Sequence, residues 1–132
     1  MAGKPKTSPS MLSGRRVLVV EDEYFQADDM ARLLRQLGAE VIGPIGEVED
    51  ALELLETGKP VDMAVLDINL KGEMIYPAAD KLRARAIPFI FMSGYDRGPI
   101  PAHYRDVPLL EKPIDDRAIY RTLRQLSQAG LN

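Results

Sequence analysis

Short apolar runs alternate with segments of helical periodicity along the whole of this chain, and that alternation is the strongest constraint on its fold. The runs are Val17–Val20, the stretch from Glu40 to Pro44 around Val41-Ile42, Met63–Leu66, Pro88–Met92 and Pro108–Leu110. Several are apolar at consecutive positions, as strands covered on both faces must be. Between the first two, Met30, Leu33, Leu34 and Leu37 recur at the spacing of one helix face, and Gly38 suits the residue after a helix end. The spacing predicts a helix over 24–37. Val48, Ala51, Leu52 and Leu55 predict a second helix, closed at Gly58. A third runs from Pro77 to Ala86 with Ala78, Leu82 and Ala86 inward. A last one is capped by Asp115 or Asp116, points Ile119, Leu123 and Leu126 inward, and ends at Gly130. Proline at position 44 is expected to end the second strand. The whole is an α/β pattern that calls for a parallel sheet with helices on both faces.

Composition narrows the function classes. A chain of 132 residues fits one domain. Residues 1–13 are small, polar and proline-bearing and read as a disordered tail, with order expected from Gly14 to about residue 129 and no output domain. There is no cysteine, which excludes disulfides and thiolate chemistry, and a single histidine excludes a multi-histidine metal site. The net charge of −3 argues against nucleic acid as a partner. No apolar run is long enough to span a membrane and no secretory signal is evident, so the expected location is cytoplasmic.

The chemistry lies where the strands end. In an open α/β sheet, ligands collect outside the carboxyl ends of the strands. The first strand ends in Glu21-Asp22-Glu23, the third in Asp67, the fourth in Ser93 and the fifth in Lys112, whereas the second ends in Gly43-Pro44 and carries no such group. Crowded carboxylates repel one another unless a cation neutralises them. Since only oxygen ligands are on offer, a hard divalent ion such as Mg²⁺ is the natural neutraliser. A lysine beside them suits phosphoryl oxygens, a hydroxyl can donate to another, and a carboxylate can be the covalent acceptor of a phosphoryl group.

In this order, Val-Val-Glu21-Asp22-Glu23, Val-Leu-Asp67-Ile-Asn69, Phe-Met-Ser93-Gly94 and Glu111-Lys112-Pro113 resemble the receiver domain of bacterial two-component response regulators, over roughly Gly14 to Ala129. The resemblance implies a single doubly wound, flavodoxin-like five-stranded sheet of order 2-1-3-4-5 with its switch point between the first and third strands. It implies that Asp67 is the phospho-acceptor and Asp22 a direct metal ligand. Glu21 would act on the metal through water, and Asn69 would offer its backbone carbonyl. Ser93 would be the switch hydroxyl and Lys112 the partner of the phosphoryl group, with Pro113 where the family often has a cis peptide. Implied partners are a sensor histidine kinase or histidine phosphotransfer protein and a downstream protein, with the chain a monomer or weak homodimer.

Two positions depart from the family pattern. Leu109 stands where the family usually has Tyr or Phe, and the Gly/Pro-rich stretch between Ser93 and Lys112 leaves room only for a shortened fourth helix. Phe91-Met-Ser93-Gly94-Tyr95 resembles the Phe-Ala-Thr-Gly signature of a subgroup of stand-alone receivers, and Tyr95 is a candidate to line the site. The bland readings are a capping or solvated role for Asp67, first-turn acids for Glu21 to Glu23, an exposed loop residue for His103 and a solvated stripe for Arg117, Arg121 and Arg124. Functional alternatives are an aspartyl-nucleophile phosphatase, which commonly has an acid where Asn69 stands, and a degenerate receiver that only binds partners. A dinucleotide-binding domain is disfavoured because no G-x-G-x-x-G follows the first strand.

Overall fold

In a computed structural model, which describes residues 10–94 and 98–129, β1 (Arg16–Val20) pairs in parallel with β2 (Glu40–Ile45) on one side and β3 (Met63–Asp67) on the other. β6 (Phe89–Ser93) extends the sheet beyond β3, and β7 (Leu109–Glu111) closes it, giving the order β2-β1-β3-β6-β7. This is the expected 2-1-3-4-5 order, with a small hairpin, β4 (Asn69–Leu70) and β5 (Glu73–Met74), interposed after β3. The helices are α1 (Tyr24–Gln36), α2 (Val48–Glu56), α3 (Tyr76–Ala84) and α4 (Asp116–Ala129). The shortened fourth helix of the expectation is a single 3₁₀ turn, Ala102–Tyr104.

The consecutive apolar runs serve two separate cores. Side chains alternate across a strand, so Leu18, Val20, Ala64, Leu66, Phe89 and Phe91 pack with α2 and α3. Val17, Val19, Met63, Val65, Ile90 and Met92 face the other way, onto α1 and α4. Neither set could become polar without opening one layer, which is why these strands show no polar alternation. α1 ends as its glycine foretells: Gly38 has φ 95° and donates to Arg35 O, while the Ala39 N–H closes on Leu34 O at 3.0 Å.

Four features differ from the sequence expectation. Order begins before Gly14: Leu12 is fully buried in the α1–α4 core and its N–H donates to Leu37 O at 2.8 Å, so residues 10–13 form a structured turn and only 1–9 of the expected tail lie outside the described residues. β2 does not stop at Pro44 but continues to Ile45, past a cis Gly43–Pro44 peptide and a register shift opposite β1. It is an edge strand, where a missing N–H breaks no ladder bond. Ala86 does not face inward; it is exposed, beyond the end of α3, with φ 57°. After Asp67, where the apolar pattern marks no strand, the chain forms the β4–β5 hairpin, whose two central residues, Lys71 and Gly72, have φ 53° and 94°, the combination a two-residue primed turn requires. Asp115 is the N-terminal cap of α4, accepting from the Ala118 N–H at 3.1 Å.

Candidate functional site

The carboxyl ends of β1, β3, β6 and β7 deliver four polar side chains to one edge of the sheet. Glu21 follows β1 and is buried (3% exposed), and its N–H donates to the carbonyl of Ile45, the residue that β2 reaches by running on past Pro44. Its carboxylate accepts from the Glu23 N–H at 3.0 Å and from Lys112 Nζ at 2.9 Å. Glu23 itself caps α1, accepting from the Gln26 N–H. Asp67 is the last residue of β3 and is 5% exposed; Lys112 Nζ donates to its Oδ2 at 3.0 Å. The Asn69 N–H reaches the other oxygen only weakly, at 3.4 Å. Half-buried Asp22 completes a trio with Glu21 and Asp67 in which one carboxylate oxygen from each lies within 4.8 Å of the others.

Lys112 arrives from β7, and its backbone N–H donates to Ser93 O at 2.8 Å, which locks the two strand ends together. The Lys112–Pro113 peptide is cis. Ser93 ends β6 one residue beyond Met92, the register partner of Asp67. Its hydroxyl is buried with no hydrogen-bond partner among the described residues. A buried hydroxyl without a partner is costly.

Electrostatics follow from burial. Burial pushes the Glu21 carboxyl up to about 7, against the hydrogen bonds from Lys112 and the Glu23 N–H, and the Asp67 charge adds to the rise. Burial would lower the Lys112 ammonium, but its hydrogen bonds to Glu21 and Asp67 outweigh that and hold it above its ordinary value. The cation is therefore kept charged by the acids it compensates. Beside it a groove of about 440 Å³, bordered by Glu21, Met30, Met92, Lys112 and Ile119, opens between α1 and α4.

Of the other residues singled out from sequence, Asn69 heads the hairpin and its side chain accepts from the Gly72 N–H at 2.6 Å. Leu109 is half-buried on the α3 side of the sheet. Tyr95 lies outside the described residues. His103 is exposed, its ring 3.7 Å from Asp80, and Arg117 and Arg121 are exposed on α4. Sequence reasoning passed over Tyr104, which is buried; the available signal was a large aromatic, one of two tyrosines, in a Gly/Pro-rich stretch.

Against protein families, residues 17–124 match the response regulator receiver domain. The chain belongs to the response regulator receiver family. This receiver is 36% identical over 114 residues to the sensory transduction protein LytT of Bacillus anthracis, covering 83% of this chain and 46% of that protein. It is 30% identical over 103 residues to the transcriptional regulatory protein PdtaR of Mycobacterium tuberculosis, covering 77% of this chain and 50% of the other. The receiver thus spans about half the length of these relatives. Among solved structures it resembles SdrG of Sphingomonas melonis, with a TM-score of 0.76 and 36% identity over 89% of this chain and 98% of that one. It is a receiver domain of the two-component response regulators, and no helix among the described residues is long and apolar enough to cross a membrane.

Proposed function

We propose that this receiver takes a phosphoryl group onto Asp67 from a phosphohistidine of a sensor histidine kinase or phosphotransfer protein, in the cytoplasm. The observation that carries the reading is the buried Asp67 carboxylate held by Lys112 at the sheet edge, with the Ser93 hydroxyl, which has no partner among the described residues, ending the adjacent strand. An Asp67 oxygen bonds to phosphorus as the bond from phosphorus to the donor histidine nitrogen breaks, the electron pair staying on that nitrogen; with the ring protonated on its other nitrogen, this leaves an acyl phosphate here and a neutral histidine on the donor. Lys112 swings from the carboxylate to a phosphoryl oxygen, and the Ser93 hydroxyl donates a hydrogen bond to another.

The three clustered carboxylates, oxygen donors only, fit a hard divalent cation. Glu21, Asp22, Asp67 and the Asn69 backbone carbonyl would hold Mg²⁺, which when bound supplies positive charge against the phosphoryl oxygens. The chain's own residues then position and neutralise, which is most of what phosphoryl transfer asks of a protein. The product acts by binding a downstream protein, by passing the group on, or by draining it from the kinase; slow self-dephosphorylation resets it.

Incubation with Mg²⁺ and acetyl phosphate tests this: mass spectrometry should find one added phosphate on the wild-type protein and none on Asp67→Asn. Equal labelling of the two would overturn the assignment. Leu109, in place of the usual aromatic, favours a second reading, a receiver that binds partners without responding to phosphate. In that case beryllofluoride, a stable phosphoryl mimic, would leave the backbone amide spectrum unchanged.

A further inference from the structure

Side chains of Phe89, Phe91 and Ser93 project to the same face of β6, and Leu109 is the register partner of Phe91 across β7. Aromatic rings from outside β7 pack on Phe91 there, among them Tyr76 and Tyr104. Tyr104, in the 3₁₀ turn, meets Phe91 edge-on with ring centroids 5.5 Å apart, and stacks on Tyr76 at 5.3 Å and 17°. It is 1% exposed, and its hydroxyl donates to the Tyr76 carbonyl at 3.1 Å and to the Asp80 carboxylate.

Its position in the connectivity is what matters. The chain leaving Asp67 runs through the β4–β5 hairpin into α3, which carries Tyr76 and Asp80. The chain leaving Ser93 runs to the 3₁₀ turn, which carries Tyr104. The two arms that diverge at the site meet again at this buried side chain. Around it, Arg83 pairs with Asp106 at 3.0 Å and His103 stands 3.7 Å from Asp80, all at least 40% exposed. Asp80 thus serves both Tyr104 and His103, and the Arg83 guanidinium lies over the Tyr104 ring, 5.4 Å from its centroid.

We propose that Tyr104 is the positioning residue that couples the site to the α3 surface, through its hydroxyl bond to Asp80, in the place left open by Leu109. This rests on the function proposed above. When the Ser93 hydroxyl engages a phosphoryl group on Asp67, the end of β6 moves, the Phe91 ring shifts against Tyr104, the Tyr104–Asp80 bond changes, and the rim of Asp80, Arg83, His103 and Asp106 re-pairs. A buried tyrosine that merely fills the core would satisfy its hydroxyl in the same way, so the test must read coupling and not stability.

The measurement is the change in backbone amide shifts on adding Mg²⁺ and beryllofluoride to wild type, Tyr104→Phe and Asp80→Ala. Phenylalanine keeps the ring and Asp80 is exposed, so both variants retain the packing. Wild type should respond at Asp67, Asn69 and Ser93 and also at Asp80, Arg83 and Ala102–Tyr104. Both variants should keep the first set of responses and lose the second. Retention of the second set in both variants, or its absence in wild type while Asp67 and Ser93 respond, overturns the coupling role alone. No response at Asp67 and Ser93 in wild type overturns the proposed phospho-acceptor function, and this inference with it.

Discussion

Lys112 reaches back from the end of β7 to donate to Asp67 Oδ2 at 3.0 Å, so a cation from the edge of the sheet compensates a carboxylate two strands away. The same ammonium serves Glu21, and the three side chains are 19%, 6% and 1% exposed. Removing one partner of a buried ion pair strands the other. Lys112→Met should therefore cost on the order of 3 kcal/mol at pH 7. Adding Mg²⁺ should restore part of the loss by taking over the compensation. Urea unfolding with and without Mg²⁺ reads both, and unchanged midpoints would contradict the pairing.

Ser93 invites the opposite stability effect. Its hydroxyl is buried and has no partner among the described residues, so Ser93→Ala should leave stability unchanged or raise it by up to about 1 kcal/mol. If the hydroxyl engages the phosphoryl group, the same variant should slow labelling by acetyl phosphate roughly tenfold, about 1.4 kcal/mol of transition-state stabilisation. Destabilisation together with normal labelling would show that the hydroxyl has a structural partner instead.

Asp62 supplies an acid-sensitive clamp at the other end of the sheet. Its Oδ2 accepts from the Arg16 backbone N–H at 2.7 Å and from Arg16 Nε at 3.2 Å, and the Asp62 N–H returns a bond to Arg16 O. Burial opposes ionisation, but these bonds outweigh it and lower the carboxyl below its ordinary value. A folded-state value below the unfolded one adds stability that is present above the ordinary carboxylate range and lost as pH falls through the lowered value. Asp62→Asn should thus cost about 1 kcal/mol near neutrality, and the gap between wild type and variant should close below about pH 4. A gap independent of pH would place the loss elsewhere.

Leu12 tests where the folded unit starts. It has no exposed surface and packs among the residues under α1 and α4. Truncating it to alanine should cost about 2–4 kcal/mol in thermal or urea unfolding. A tail residue would register no change.

The parallel sheet and its helices were legible because burial on both faces leaves no choice of residue. Val17–Val20 and Met63–Leu66 must be apolar at every position once two cores share one strand. The strand-end acids, Ser93 and Lys112 were legible for a related reason, since polar groups that stop an apolar run fall at the sheet's carboxyl edge. Leu12 was obscured by its neighbours: in a proline- and serine-rich stretch one leucine has no periodicity to announce it. Pro44 misled because proline forbids only a central ladder, and whether a strand is central or at the edge is a property of the sheet.

What the sequence determined by itself was therefore the layer architecture and the set of groups at the site, both consequences of local pattern. Tertiary structure alone decided which of those groups touch: that Lys112 bridges Glu21 and Asp67, that Ser93 finds no partner among the described residues, and that Tyr104 fills the face beside Leu109 and Phe91. Each is a contact between segments far apart in the chain, set by strand order and register, and no periodicity within a single segment encodes it.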